Sequence, residues 1–85
     1  MRLKDKVAII TGSGSGIGKA AALMFTREGA KVMVADIDED AAKKTVEEIK
    51  IQGGEGTFFQ VDVTKEPQVK QMLHATEERF GRLDV

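Results

Sequence analysis

Thr11-Gly12-Ser13-Gly14-Ser15-Gly16-Ile17-Gly18 is the stretch of this chain whose residue types and spacing bear most directly on chemistry. It follows an apolar run, Val7-Ala8-Ile9-Ile10, and leads into a helical pattern from Ile17 to Glu28. A strand, a glycine-rich turn and a helix start, in that order, make a phosphate cradle. Glycines let backbone N–H groups approach a pyrophosphate closely, and the helix N-terminus adds about half a positive charge. Asp36 and Asp62 lie at the ends of the next two β-prone runs. Ligands of open α/β sheets bind at the carboxyl ends of strands, so both acids are candidates for the same site.

Three nucleotide motifs compete for the glycines. The P-loop needs Gly, four residues, then Gly-Lys-Ser/Thr. Gly18-Lys19 matches its middle, but Ser13 replaces the first Gly and Ala20 replaces the hydroxyl that would ligate Mg²⁺. The G-x-G-x-x-G fingerprint fails as well, because Ile17 or Lys19 falls where its last Gly belongs. The spacing that fits is Thr-Gly-x-x-x-Gly-Ile-Gly, with Gly12, Gly16 and Gly18 as its glycines.

The elements that must position these residues alternate strand and helix. Val7–Thr11 is a continuous apolar run, as a strand buried on both faces requires. The helix from Ile17 carries Ile17, Ala20, Ala21, Met24 and Phe25 as its apolar stripe, and Gly29 suits the left-handed position after it. Lys31–Asp36 is a second strand. Asp38 can cap the next helix, whose apolar positions are Ala41, Ala42, Val46 and Ile49, and Gly53-Gly54 end it. Thr57–Val63 is a third strand, and Thr64 is the expected N-cap of a helix that tolerates Pro67 in its first turn. Val69, Met72, Leu73, Thr76 and Phe80 recur at helical spacing, Gly81 stops the helix, and Leu83-Asp84-Val85 reads as the start of a fourth strand. The fold class is α/β: one domain over 1–85, the β-α-β-α-β-α portion of a doubly wound Rossmann-type parallel sheet, with right-handed crossovers.

Composition excludes several classes. Hydrophobic residues make up 41% and charged ones 32%, ordinary for a globular chain. Thirteen basic and 14 acidic residues are interspersed, with net charge −1 and no basic face, which argues against nucleic acid as partner. There is no cysteine, so no disulfide framework and no thiolate metal site. His74 is the only histidine and has no convergent acids, so no metal site is expected. Asp38-Glu39-Asp40 reads as the ordinary acidic first turn of a helix. Met24, Met33 and Met72 fall on core stripes, and Lys19, Lys43 and Lys44 on solvated helix faces. No segment approaches the ~18 apolar residues of a membrane span. The N-terminus lacks the form of a signal peptide. A cytoplasmic protein is expected.

The Thr-Gly-x-x-x-Gly-Ile-Gly motif, together with Leu3-Lys4-Asp5-Lys6-Val7-Ala8-Ile9-Ile10, Val61-Asp62-Val63-Thr64 and Phe80-Gly81-Arg82-Leu83-Asp84-Val85, strongly resembles the short-chain dehydrogenase/reductase family over all 85 residues. The resemblance implies that Gly12, Ser13, Ser15, Gly16, Ile17 and Gly18 line the pyrophosphate and ribose of a nicotinamide cofactor. Asp36 can accept both adenosine ribose hydroxyls and would repel a 2′-phosphate. Members of the family that prefer NADP tend to carry a basic residue where this chain has Ser15 or Ile37, so NAD is favoured over NADP. Ile37 would then supply an apolar face for the adenine. Asp62 would accept the adenine amino group while Val63 covers the ring, and Asp62 also suits a turn former ahead of Thr64.

The family's reaction is hydride transfer between a nicotinamide and a small-molecule alcohol or carbonyl. Its acid/base is a Tyr whose pKa is lowered by a Lys four residues on, with a Ser holding the substrate oxygen. This sequence has no tyrosine, and the family's Asn-Asn-Ala-Gly segment would begin just past Val85. No catalytic residue is assigned, and the 85 residues alone are expected to be inactive. The first strand is expected as an apolar sheet edge, leaving the isolated chain unstable, aggregation-prone or completed by another chain. The chain reads as the cofactor-binding part of a dehydrogenase that is homo-oligomeric at full length. The alternatives are a non-catalytic NAD-binding or interaction module, or a nonfunctional remnant.

Overall fold

The structure, a computed structural model, describes residues 3–12, 14 and 16–84. Six elements follow one another: β1 (Val7–Thr11), α1 (Gly16–Arg27), β2 (Lys31–Asp36), α2 (Glu39–Ile51), β3 (Glu55–Gln60) and α3 (Glu66–Phe80). The three strands are parallel in the order β1-β2-β3. Central β2 is apolar on both faces because both are covered. Val32 and Val34 pack with Ala22 of α1 and Ala42, Val46 and Ile49 of α2. Met33 and Ala35 point the other way and pack with Met72 of α3. Helices α1 and α2 therefore share one face and α3 takes the opposite one. After α3 the chain returns past two strands, and the Asp84 N–H donates to the Val7 carbonyl at 2.9 Å. That change of direction is the switch point of a doubly wound sheet.

Local chemistry explains the element ends. Asp38 caps α2 by accepting from the Ala41 N–H at 3.1 Å. Gly81 closes α3 in the left-handed conformation, with φ 82°. The third strand lies earlier than its composition suggests, at Glu55–Gln60 in place of Thr57–Val63. Its register pairs Lys31 with Glu55 and Asp36 with Gln60, so the ladder stops where β2 stops. Val61, Asp62 and Val63 are released into the loop beyond.

Three further expectations are corrected. Thr64 is not the N-cap of α3. Lys65 takes that place without a side-chain cap bond, because the Thr64 hydroxyl is engaged by Asp62. The buried line of α1 runs through Ala22 and Thr26, while Ile17 (90% exposed) and Met24 (57%) face away from the sheet, as Leu73 of α3 partly does. The small Ala22 lets α1 lie close to the sheet, and α1 is apolar on more than one side, so its stripe was ambiguous. Of the fourth strand expected at Leu83-Asp84-Val85, Leu83 and Asp84 are not in a strand, although Asp84 stands beside β1, and Val85 lies outside the described residues. Among the described residues β1 stands at the sheet edge, as expected.

Candidate nucleotide site

The carboxyl ends of all three strands open onto one cleft of about 360 Å³, lined by Thr11, Gly12, Ala35, Asp36, Ile37, Val61, Asp62 and Val63. Five of the residues singled out from sequence thus meet there: Gly12, Asp36, Ile37, Asp62 and Val63. Gly16, Ile17 and Gly18 stand at the start of α1, off the lining of this cleft. Ser13 and Ser15 lie outside the described residues. A larger cleft, about 650 Å³, lies at the opposite end of the sheet between Arg27, Lys31, Gln52 and Glu55. None of the motif residues reaches it, and ligands of such sheets bind at the carboxyl ends. The smaller cleft is therefore the candidate.

Backbone geometry prepares the glycine turn for a close ligand. Gly12 (φ 65°) and Gly16 (φ 59°) are both left-handed, and a Cβ at either would meet nothing within 4 Å. The space beyond those backbones is open. The first turn of α1 carries no acidic residue of its own, which leaves its positive end favourable to an anion.

Asp36 ties this turn to the sheet. Its Oδ2 accepts from the Gly14 N–H at 2.9 Å, and its Oδ1 accepts from the Asp38 N–H at 2.9 Å. Each carboxylate oxygen has a second lone pair for a ligand hydroxyl. Gly14 itself was not singled out from the sequence. It is buried, and its carbonyl accepts from the buried Thr45 hydroxyl at 3.3 Å. A Cβ there would stand 2.7 Å from Asp36 Oδ2 and 2.8 Å from Ala41 Cβ. Only the position of α2 reveals this close approach; the sequence signal was one more glycine in a glycine run.

Asp62 closes the third side. Its Oδ1 accepts from the Thr64 hydroxyl at 2.6 Å and from the Thr64 N–H at 3.0 Å. These hydrogen bonds hold its carboxyl below the usual carboxylate range. The turn-forming role of Asp62 is therefore realised, in the same residue that faces the cleft. Ile37 (64% exposed) and Val63 (56%) offer apolar surface on either side. A neighbouring cleft of about 550 Å³ shares Ile37, Val61 and Asp62 and extends to Gln60, Lys65 and Gln68.

The basic residues expected as solvated are partly engaged. Lys19 pairs with Glu48 across α1 and α2, and Lys43 pairs with Glu39 and lies over the Phe58 ring. His74 is on the outer face of α3 beside Glu78. Among the described residues no group of three or more His, Cys, Asp or Glu is placed to hold a metal, and no helix is long and apolar enough to cross a membrane.

Comparison with known proteins agrees with this geometry. A family model described as short chain dehydrogenase matches residues 6–85. An uncharacterized oxidoreductase of Thermotoga maritima is 52% identical over 85 residues, all of this chain and 33% of that protein. The 2,5-dichloro-2,5-cyclohexadiene-1,4-diol dehydrogenase LinX of Sphingobium indicum is 45% identical over 82 residues, 96% of this chain and 33% of that protein. A 7α-hydroxysteroid dehydrogenase solved with NADH and 7-oxo glycochenodeoxycholic acid superposes with TM-score 0.96 at 41% identity, over 98% of this chain and 32% of that one. The chain spans about a third of the length of these relatives. A glycine turn, two strand-end acids and a chain that returns from α3 to the edge of β1 thus accompany a match over nearly every residue, and the chain belongs to the short chain dehydrogenase family.

Proposed function

We propose that this chain is the cofactor-binding portion of an oxidoreductase that moves a hydride between a nicotinamide dinucleotide, NAD in preference to NADP, and an alcohol or carbonyl substrate. The observation that carries the reading is Asp36. Its carboxylate closes β2 beside the glycine turn, at the mouth of the strand-end cleft. There it accepts ribose hydroxyls and opposes a 2′-phosphate by like charge. The pyrophosphate lies over the Gly12–Gly18 turn, Ser13 and Ser15 included, against the positive end of α1. The adenine lies between Ile37 and the Asp62-Val63 pair. The NADH held by the hydroxysteroid dehydrogenase supports a nicotinamide cofactor. The cofactor would accept the hydride from an alcohol or give it to a carbonyl, and these residues would bind and orient it. No proton-transfer residue is assigned among these 85 residues, which contain no tyrosine. A homo-oligomer in the cytoplasm completes this reading.

The test is Asp36→Ala in the full gene product, with NAD and NADP affinities measured by fluorescence titration. Loss of a charge-assisted contact predicts that the NAD preference falls about tenfold or more. An unchanged ratio would remove the role given to Asp36.

A further inference from the structure

We propose that Gln68 is a positioning residue for the nucleotide cleft. Its side-chain amide holds the Asp62 main chain at the cleft mouth and so sets how tightly the adenosine half of a dinucleotide is held. The inference rests on the dinucleotide reading above and concerns a residue outside the glycine and aspartate motifs.

The need for such a residue follows from the alternation of β3. Val61 donates its N–H inward, to the Asp36 carbonyl at 3.0 Å. Asp62, one residue on, turns its N–H to the opposite side, away from β2, where the described residues place no strand. Its N–H donates instead to Gln68 Oε1 at 2.9 Å. Its carbonyl accepts from the Lys65 N–H at 2.9 Å, and Oδ1 takes both Thr64 donors. Thr64 and Lys65 belong to the turn itself, whereas Gln68 joins the turn to the body of α3.

This is not the ordinary capping arrangement. A glutamine three residues into a helix normally reaches back to the N–H of the N-cap residue. The N-cap here is Lys65, and its N–H is taken by the Asp62 carbonyl. Gln68 passes over it and bonds three residues further back, on the residue that faces the cleft. The half-buried Gln68 also lines the neighbouring cleft with Ile37 and Asp62. Losing its acceptor frees the Asp62 backbone to rotate and misplaces the carboxylate without touching the glycine turn.

The experiment is calorimetric titration of the full gene product with NAD and with AMP. Gln68→Met keeps length and helix propensity but removes the acceptor. Both ligands are expected to bind about three- to tenfold more weakly, the loss of one hydrogen bond's worth of positioning. Gln68→Asn, too short to reach, should behave alike, and Gln68→Glu, which keeps an acceptor oxygen, should stay within about twofold. In an Asp62→Ala background Gln68→Met should add nothing, since it acts through that carboxylate. Undiminished binding in both Gln68→Met and Gln68→Asn overturns the inference, as does an equal loss in the Asp62→Ala background. If the unsubstituted protein binds neither NAD nor NADP, the dinucleotide reading falls and takes this inference with it. If it binds NAD and the Gln68 variants match it, only the role of Gln68 falls.

Discussion

Asp84 and Val7 exchange two hydrogen bonds at the open edge of the sheet: the Asp84 N–H donates to the Val7 carbonyl at 2.9 Å, and the Val7 N–H donates to Asp84 Oδ2 at 2.9 Å. The carboxylate thus stands in for the backbone acceptor that a neighbouring strand would offer. Arg82 Nη2 binds the other oxygen, Oδ1, at 2.6 Å. The chain leaving α3 is thereby set in register against the first residue of β1.

This pairing makes a pH prediction. The Arg82 guanidinium, then the Val7 N–H, hold the Asp84 carboxyl below its ordinary value of 3.8, against a smaller desolvation effect. A carboxyl depressed in the folded state stabilises that state above its unfolded pKa. The contribution is lost as pH falls through the folded value. Asp84→Ala should therefore melt below the parent at pH 7, and the gap should close as pH drops below about 4. Calorimetric scans at pH 7 and pH 3 check this; an equal gap at both would assign the effect to something other than the carboxylate.

Asp36 has a structural duty besides the ligand role proposed for it. It satisfies the Gly14 and Asp38 N–H groups, which join the glycine turn to β2 and to the start of α2. Hydrogen bonds to a charged group contribute about 1.5–3 kcal/mol. Asp36→Ala should cost stability in that range, and amide hydrogen exchange at Gly14 and Asp38 should quicken. Asp36→Asn, which keeps an acceptor, should restore part of the loss.

Ile49 carries the face of the sheet covered by α2. It is fully buried, and a Cβ added at Gly56 would stand 3.1 Å from its Cδ1 and 3.2 Å from its Cγ2. Ile49→Ala should cost about 2–5 kcal/mol and Ile49→Val about 0.5–1.5 kcal/mol, read by urea denaturation. Gly56→Ala overpacks the same contact, at about 1–3 kcal/mol. Ile49→Val removes the Cδ1 atom that such a methyl would meet, so the double variant should lose less than the two single losses together.

How much of this was legible in the sequence depends on whether a residue's environment is local. Val7–Thr11 and Lys31–Asp36 were readable to the residue, because a strand covered on both faces is apolar throughout. The Asp38 cap was readable because its partner is three residues away. The end of β3 was not. Val61-Asp62-Val63 is as β-prone as the strand itself, and only pairing with β2 ends the ladder at Gln60. Gly14 escaped notice because its reason lies in Asp36 and Ala41, brought near only by the packing of α2. In α1, Ile17 and Met24 are as apolar as Ala22, and the choice of buried line belongs to the sheet beneath. Of the cleft residues, Asp36 and Asp62 were legible because strand ends converge in any parallel sheet of this kind, whereas Gly12, Ile37 and Val63 came from the family resemblance.

The turn at Asp62 offers a last test, at a single titrating group. The short bond from the Thr64 hydroxyl is the largest cause of the lowered Asp62 pKa, followed by the Thr64 N–H, with burial opposing and Lys65 adding a weaker attraction. Thr64→Val removes the first cause and leaves the second. The Asp62 carboxyl, followed by carbon NMR during an acid titration, should then protonate at a higher pH than in the parent, closer to the ordinary 3.8. The same depressed carboxyl stabilises the fold above its unfolded pKa and ceases to do so as pH falls through its folded value. Thr64→Val should therefore reduce stability at pH 7 and leave it nearly unchanged in strong acid, where Asp62 is protonated in both proteins. A midpoint that stays put in Thr64→Val would mean that the hydroxyl does not bond the carboxylate in solution. Asp62 would then be free to turn wholly toward the cleft.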